Sequence, residues 1–133
     1  MAETVAAVMT VPVETVGVAD PLQVALERMS ARGCRELPVV ENGRLVGMLT
    51  ERDLRSALAG DAAAALARPV SFAMSPEVWS LPATTPLSRA CARLAEAQVG
   101  AMPVLDAGGA LCGILSVTDL LRAAALRFQR DGD

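Results

Sequence analysis

The sequence predicts an α+β fold made of two tandem β-α-β-β-α repeats related by pseudo-two-fold symmetry. The first observation is that the chain repeats itself at a spacing of about 65 residues, the sign of a fold assembled from copies of one unit. The second is that apolar residues switch between helical and strand periods in the same order in both halves. The third is a matched set of turn residues. The corresponding segments are Met9-Thr10 and Met74-Ser75, Asp20–Leu22 and Thr85–Leu87, Leu37–Val40 and Met102–Leu105, and Gly47–Leu54 and Gly113–Leu120.

The first repeat is expected to open with a short lead-in helix at Val5 to Met9 and a strand near Glu14 to Val16. Asp20 is then predicted to be the N-cap of a longer helix with Pro21 at its first position, where a missing N–H costs nothing. Gly33 is expected to end this helix. Its predicted buried stripe, at spacing i, i+3, i+4, i+7, consists of Leu22, Ala25, Leu26 and Met29.

A hairpin and a second helix complete this repeat. Asn42-Gly43 is a strong two-residue hairpin signal, and it separates the apolar strands Leu37–Val40 and Arg44–Leu49. Thr50 is expected to open a helix that runs toward Leu58.

The second repeat follows the same plan after an alanine-rich helical connector. The sequence therefore predicts a first repeat, with lead-in and connector, over residues 1–67 and a second repeat over residues 68–133. The elements predicted after the first repeat are the connector Gly60–Ala67, a helix from Thr85-Pro86, strands Ala101–Leu105 and Leu111–Leu115 around a turn at Asp106–Gly109, and a helix from Ser116 to about Phe128.

Composition argues against catalysis. The 133 residues include no histidine, and all 12 basic residues are arginine. The commonest general base, the Ser-His and Cys-His dyads and any lysine Schiff base are therefore absent, and a metal would have to rest on carboxylates or thiolates alone. We expect a protein that is not an enzyme.

Charge and hydropathy argue against two other classes. The net charge is −3 and the arginines are scattered, whereas a nucleic-acid-binding protein is expected to show a basic stripe. No apolar run approaches the roughly 18 residues that span a bilayer. Glu3 stands where a secretion signal would be basic. A cytoplasmic location is expected by default.

The three cysteines predict neither a disulfide framework nor a zinc site, since their number is odd and they form no close pair. Cys34, Cys91 and Cys112 each align with an aliphatic residue of the other repeat. We expect all three to be small buried hydrophobic residues.

Two segments at matched positions carry a family resemblance: Gly47–Asp53, which reads GMLTERD, and Gly113–Asp119, which reads GILSVTD. They resemble the signature that closes each CBS (cystathionine β-synthase) domain, and the resemblance extends from Val8 to about Leu126. It implies a tandem pair of such domains, a Bateman module, with two clefts between the repeats. In that family the clefts often bind adenine nucleotides or related adenosyl compounds such as S-adenosylmethionine.

The resemblance assigns the ribose hydroxyls of such a ligand to Asp53 and Asp119, with Thr50 and Ser116 near ribose or phosphate. A carboxylate can accept two hydrogen bonds side by side, and a helix N-terminus favours an anion. A second interpretation of Ser/Thr-x-x-Asp is a capping box, which only satisfies the backbone at a helix start. Both interpretations can hold at once.

The resemblance also implies which residues lie near the adenine base of such a ligand. Gly47 and Gly113 mark places where something flat approaches a strand. Met48 and Ile114 are candidate walls of an adenine slot. The backbone near Thr15-Val16 and Ser80-Leu81 could read the base edge, and Trp79 is expected to fill a core or dimer contact, with stacking on a base as the alternative.

The two sites are expected to differ in charge. Arg35 aligns with Gly100, and Arg52 aligns with Thr118, so that the first signature has two guanidinium groups near it and the second has none of its own. Arginine is suited to bidentate phosphate contact, although ordinary solvated surface is the alternative for both residues. We expect the Asp53 site to bind the more highly charged ligand or to be the only one occupied.

The leading hypothesis from the sequence is a regulatory module that binds an adenosine-containing metabolite and signals to a protein partner that the sequence does not identify. Two chains are expected to pair through exposed aliphatic helix faces into a homodimer. The alternative is a structural dimerisation or scaffold protein whose clefts stay empty.

Overall fold

The computed structural model describes residues 3–132, which form two units, each with one three-stranded sheet. The first unit comprises Glu14–Val78. The second unit comprises the residues up to Val13 together with those from Trp79 onward. Each unit contains the predicted order β-α-β-β-α, so the predicted α+β class with two tandem repeats is confirmed. Within the described residues, no helix is both long enough and apolar enough to cross a bilayer.

The elements are as follows. In chain order the helices are α1 (Val5–Val8), α2 (Leu22–Arg32), α3 (Glu51–Ala57), α4 (Ala62–Leu66), α5 (Leu87–Ala97) and α6 (Val117–Arg130), with one 3₁₀ turn at Val70–Phe72. The strands are β1 (Val16–Gly17), β2 (Glu36–Glu41), β3 (Arg44–Thr50), β4 (Leu81–Pro82), β5 (Ala101–Leu105) and β6 (Leu111–Ser116).

The two sheets share one topology. In the order β1-β2-β3, β1 is parallel and β3 antiparallel to β2; the order β4-β5-β6 repeats this arrangement. Asn42 and Gly43 form the predicted β2–β3 turn with φ of 51° and 78°, the left-handed conformations that a type I′ hairpin requires. Each sheet has a register shift at the same place, between Val39 and Val40 and between Val104 and Leu105.

Each unit buries an aliphatic core of its own. The predicted stripe of α2 is confirmed, since Leu22, Ala25 and Met29 are buried and Leu26 packs against them. Gly33 ends this helix as predicted, with φ of 65°. The sequence predicts the corresponding stripe of α5 at Leu87, Ala90, Cys91 and Leu94. Ala90 and Leu94 are buried and Leu87 packs against the core, whereas Cys91 is exposed. Burying a large aliphatic side chain contributes about 1.5–3 kcal/mol, so these repeated stripes account for the cohesion of each unit.

The lead-in packs on the second unit. Val5 of α1 is fully buried in the core of that unit and its N–H donates to the Thr85 carbonyl at 2.9 Å. Thr10 then forms an antiparallel bridge with Ile114 of β6, with N–H···O distances of 2.8 and 3.2 Å. The compact units therefore differ from the division at residues 67 and 68, which groups the lead-in with the first repeat.

The corresponding segment before the second repeat packs on the first unit in the same way. Ser75 forms an antiparallel bridge with Met48 of β3, with N–H···O distances of 2.8 and 3.0 Å. In both units this segment pairs with the otherwise open edge of the last strand, the edge that would invite pairing with another chain.

These bridges explain the two signature glycines. A Cβ placed on Gly47 would lie 2.7 Å from Met74 Sδ and 2.8 Å from the Ser75 carbonyl oxygen. A Cβ on Gly113 would lie 2.5 Å from Met9 Sδ. A close approach to the strand is present at both positions, but the approaching group is a methionine of the same unit rather than a flat ligand.

Two local predictions are wrong. Asp20 does not cap α2: its carboxylate accepts from the Gly17 N–H at 2.8 Å, and Pro21 is the N-cap residue. Asp20 therefore closes the turn that leads out of β1. Cys91 is exposed, because α5 turns Ala90 and Leu94 toward the core and leaves Cys91 on its outer side, while Cys34 and Cys112 are half-buried against the cores.

We predict that Gly47→Ala lowers the free energy of unfolding by about 1–3 kcal/mol, as overpacking does. The cost at Gly113→Ala is smaller, because only the flexible Met9 side chain has to move, whereas at Gly47 the obstacle includes backbone. Urea unfolding measures both. Gly60→Ala is the control, since a Cβ there meets nothing within 4 Å. A Gly47→Ala variant as stable as the control would contradict this packing.

Candidate functional site

A complete capping box stands at the junction of the last strand and the last helix of each repeat. In the first unit, the Thr50 N–H donates to Asp53 Oδ2 at 2.9 Å and the Asp53 N–H donates to Thr50 Oγ1 at 3.1 Å. In the second unit, the Ser116 N–H donates to Asp119 Oδ2 at 2.9 Å and the Asp119 N–H donates to Ser116 Oγ at 3.0 Å. The capping interpretation is therefore confirmed for both signatures.

The residue just before the middle strand lies beside each capping box. The Glu51 N–H at the start of α3 donates to the Arg35 carbonyl at 2.8 Å, and the Val117 N–H donates to the Gly100 carbonyl at 2.9 Å. The structure thus places Arg35 and Gly100 at equivalent positions, as the sequence alignment has them. Arg35 is next to the first turn of α3, and its side chain is exposed.

Asp119 is almost fully enclosed by its own unit. Asp119 is 6% exposed, and the Thr10 hydroxyl donates to its carboxylate at 3.0 Å to Oδ1 and 3.2 Å to Oδ2. Arg122 lies 3.6 Å from Oδ1. The second signature has no guanidinium group of its own, but one turn of α6 brings Arg122, which follows the signature, onto the face of Asp119.

The carboxylate of Asp53 has fewer partners than that of Asp119. It is half-buried, and among the described residues its Oδ1 accepts no side-chain hydrogen bond and forms no ion pair. Ser75, which corresponds to Thr10, donates its hydroxyl instead to the Glu77 carbonyl at 3.4 Å. The two carboxylates are therefore equivalent in position, but Asp53 has more hydrogen-bond acceptor positions left for a ligand than Asp119.

The other predicted site residues are distributed as follows. Arg52 and Thr118 are exposed in the first turns of α3 and α6, and Arg35 and Arg52 take part in no ion pair within residues 3–132. Met48 and Ile114 are partly buried, and their backbones carry the bridges to Ser75 and Thr10.

The sequence matches that of a known domain in both halves. The CBS domain model matches residues 5–60 and again residues 68–126. The chain belongs to the CBS-domain family. A CBS domain-containing protein of Bacillus subtilis, YhcV, is 36% identical over 114 residues, which cover 84% of this chain and 79% of that protein. Inosine-5′-monophosphate dehydrogenase of Thermoplasma acidophilum is 29% identical over 109 residues, but the match spans 21% of the enzyme.

Solved structures agree with this assignment. CBSX2, solved in complex with AMP, is 27% identical with a TM-score of 0.84, and the match covers 95% of this chain and 98% of that one. The CBS domain pair of protein MJ0100, solved with 5′-methylthioadenosine and S-adenosyl-L-methionine, has a TM-score of 0.85 over 96% of this chain and 99% of that one. At 20% identity, that second match supports the fold alone.

The backbone positions expected to read a base edge already have partners in each CBS repeat. Arg28 donates to the Thr15 carbonyl at 2.6 Å, and Arg93 donates to the Ser80 carbonyl at 3.4 Å. Trp79 is 43% exposed, with the Arg93 guanidinium 5.1 Å from its ring centroid. Trp79 therefore does not fill a core, and the prediction of a dimer contact there stays a prediction.

A groove of about 600 Å³ lies within the second unit, between α1 and α6. Asp119 and Arg122 line it, together with the apolar side chains of Ala7, Val8 and Leu126. The groove is formed in part by the lead-in, so the surroundings of Asp119 depend on a segment that sequence reasoning assigned to the first repeat.

Glu36 is a residue of the first site that sequence reasoning missed. It stands opposite Thr50 in the β2–β3 register, where the second CBS repeat has Ala101 opposite Ser116. Burial raises the pKa of its carboxyl, the Arg35 guanidinium opposes that rise, and Glu51 adds to it. Strand register could have revealed Glu36, because a residue that precedes an apolar strand faces the residue that ends its hairpin partner.

We predict that Glu36→Gln stabilises the protein at pH 7 and that the gain shrinks toward pH 4. Because the pKa of Glu36 is raised in the folded state, its protonation favours folding at low pH, and that contribution is lost as pH rises through the folded pKa. Thermal unfolding at both pH values measures the difference. Glu41→Gln, at the exposed end of the same strand, is expected to change stability little at either pH. An equal gain at pH 4 and pH 7 would contradict the argument.

Proposed function

We propose that this CBS protein is a regulatory module that binds an adenosine-containing ligand of the AMP, ADP, ATP or S-adenosylmethionine type and transmits its presence to a protein partner. Its family membership and the AMP complex of CBSX2 support this proposal. The lack of histidine and lysine supports a regulatory role rather than a catalytic one. That ligands lie in clefts between the repeats stays a prediction, as does a cytoplasmic location.

The observation that carries the proposal is the state of Asp53. Its Oδ2 is fixed by the Thr50 N–H at 2.9 Å, which holds the carboxylate in one orientation, and its Oδ1 has no side-chain partner in the described part of the chain. A carboxylate has about four acceptor positions, so an oriented and only partly used one suits adjacent sugar hydroxyls. Thr50 and Met48 are proposed to contact the same ligand.

Phosphate groups are proposed to interact with Arg35 and Arg52. Both are exposed cations beside the first turn of α3, with no ion pair among residues 3–132. The carboxylates of Glu36 and Glu51 partly offset this positive charge. Glu51 also forms an ion pair with Arg55, with 2.9 Å between the guanidinium nitrogen and the carboxylate oxygen. A second ligand position of the same kind is proposed at Ile114, Ser116, Thr118 and Asp119.

A scaffold without a ligand is the second candidate function, and one observation favours it. Both carboxylates complete their capping boxes from protein groups alone, so each signature already has a structural role. The two functions differ in whether Asp53 contributes to anything beyond the start of α3.

We predict that AMP, ADP, ATP or S-adenosylmethionine raises the melting temperature, since a ligand at 100-fold over its Kd adds about 2.7 kcal/mol. Asp53→Ala is expected to abolish most of this shift and to weaken binding in calorimetry more than Asp119→Ala does. Asp61→Ala is the matched control, because Asp61 caps α4 of the same unit at 3.2 Å. No shift with any of the four compounds would favour the scaffold, and a larger loss from Asp119→Ala would contradict the proposed asymmetry.

We propose that α6 forms the contact of a homodimer. Its exposed apolar residues Val117, Leu121 and Phe128 are spaced four and seven residues apart, and so lie on one side of the helix. In the first CBS repeat the residues that match Val117 and Leu121 are Glu51 and Arg55, which form an ion pair. Because α6 carries this apolar stripe and its counterpart α3 does not, we propose that two copies meet α6 to α6, an isologous contact.

We predict that Leu121→Arg, the residue found at the equivalent position in α3, shifts the protein from dimer to monomer in sedimentation equilibrium. Leu121 is 65% exposed, so the change costs little in the folding of one chain. Arg127→Leu, also exposed on α6 but away from this stripe, is the control and is expected to leave the dimer intact. An unchanged mass for Leu121→Arg would exclude this contact.

A further inference from the structure

The carboxylate of Asp119 receives hydrogen bonds from more protein groups than that of Asp53. The Ser116 N–H donates to Oδ2, the Thr10 hydroxyl lies within 3.2 Å of both oxygens, and Arg122 is 3.6 Å from Oδ1. Of about four acceptor positions, few remain for another donor. Two adjacent sugar hydroxyls that approach Asp119 therefore compete with the Thr10 hydroxyl for the carboxylate oxygens.

Thr10 is held in place by its backbone rather than by its side chain. Its N–H and carbonyl both bond to Ile114, and the preceding helix α1 is anchored by the fully buried Val5. The hydroxyl can therefore leave Asp119 by side-chain rotation without loss of the strand bridge. This makes the Thr10 hydroxyl a separable element of the site.

The equivalent residue of the first unit provides an internal comparison. Ser75 has the same backbone bridge, to Met48, but its hydroxyl donates to Glu77 rather than to Asp53. Threonine is restricted about χ1 by its branched Cβ, whereas serine is less so. The same backbone bridge thus carries a hydroxyl that bonds the carboxylate in the second unit and a hydroxyl that bonds elsewhere in the first.

We propose that Thr10 is an intramolecular gate on the second ligand site: its hydroxyl takes, on Asp119, the place that a ribose hydroxyl of the ligand would take. The protein consequently binds one adenosine-containing ligand per chain, at Asp53. Asp119 accepts a ligand only when Thr10 turns away. This inference rests on the proposed function, since it concerns the second of the two proposed sites.

The test measures the Asp119 site with the first site disabled. Calorimetric titration with AMP and with S-adenosylmethionine compares Asp53→Ala with the double variant Asp53→Ala/Thr10→Val, in which valine keeps the branched shape and removes only the hydroxyl. The double variant is expected to bind on the order of ten- to hundredfold more tightly, the equivalent of one hydrogen bond to a charged group. Thr10→Ala in place of Thr10→Val provides a second variant, and circular dichroism confirms that each is folded.

The single variants separate the gate from the proposed function. If the unaltered protein binds one ligand and Thr10→Val binds two, both proposals stand; if Thr10→Val also binds one, the gate is wrong and the function stands. If the unaltered protein binds none and Thr10→Val binds one, the gate stands without the Asp53 site. If neither binds, both proposals are wrong. Ser75→Ala is the matched control and is expected to leave affinity unchanged, because its hydroxyl does not contact Asp53.

Discussion

Each strand that closes a sheet in this protein continues directly into a helix, and the carboxylate three residues later holds that junction together. The carboxylates of Asp53 and Asp119 each accept a hydrogen bond from the N–H of the residue that caps the helix, and the N–H groups of the two aspartates donate to the hydroxyl oxygen of that residue. This reciprocal pair satisfies two backbone donors at each junction and fixes the orientation of the carboxylate. Any ligand chemistry at these positions has to use the acceptor positions that this structural role leaves over.

The segment that precedes the other repeat lies beside each capping box and influences how many acceptor positions of the carboxylate stay free. The lead-in ending at Thr10 lies against β6, and the segment ending at Ser75 lies against β3, each through a two-way backbone bridge. The methionine beside each bridge occupies the space left by a signature glycine. The Met-Thr and Met-Ser pairs and the glycines, which look like separate motifs along the chain, are thus two sides of one contact.

The two CBS repeats share the backbone arrangement of the capping box and differ in the side chains around it. The capping box and the backbone bridge beside it are present in both repeats, while neighbouring side chains change which groups the carboxylate can bind. The Thr10 hydroxyl and Arg122 occupy part of the Asp119 carboxylate, whereas Arg35 and Arg52 are exposed beside the first turn of α3 and form no ion pair among residues 3–132. These differences are the reason that we propose the ligand site in the first repeat and the contact with a second copy on α6 of the second.

The sequence by itself determined the repeat, the order of elements, the Asn42-Gly43 hairpin, the buried stripe of α2 and both capping boxes. All of these depend on residues close together along the chain, where periodicity and backbone conformation decide the structure. Only the tertiary structure decided the burial of Val5 in the second core, the partners of the signature glycines, the bond between Thr10 and Asp119, and the exposure of Cys91. The reason is physical. Thr10 and Asp119 are 109 residues apart along the chain, and no local pattern records which edge strand a short lead-in will cover. That choice depends on which core offers space for Val5 and which strand edge has unpaired backbone groups.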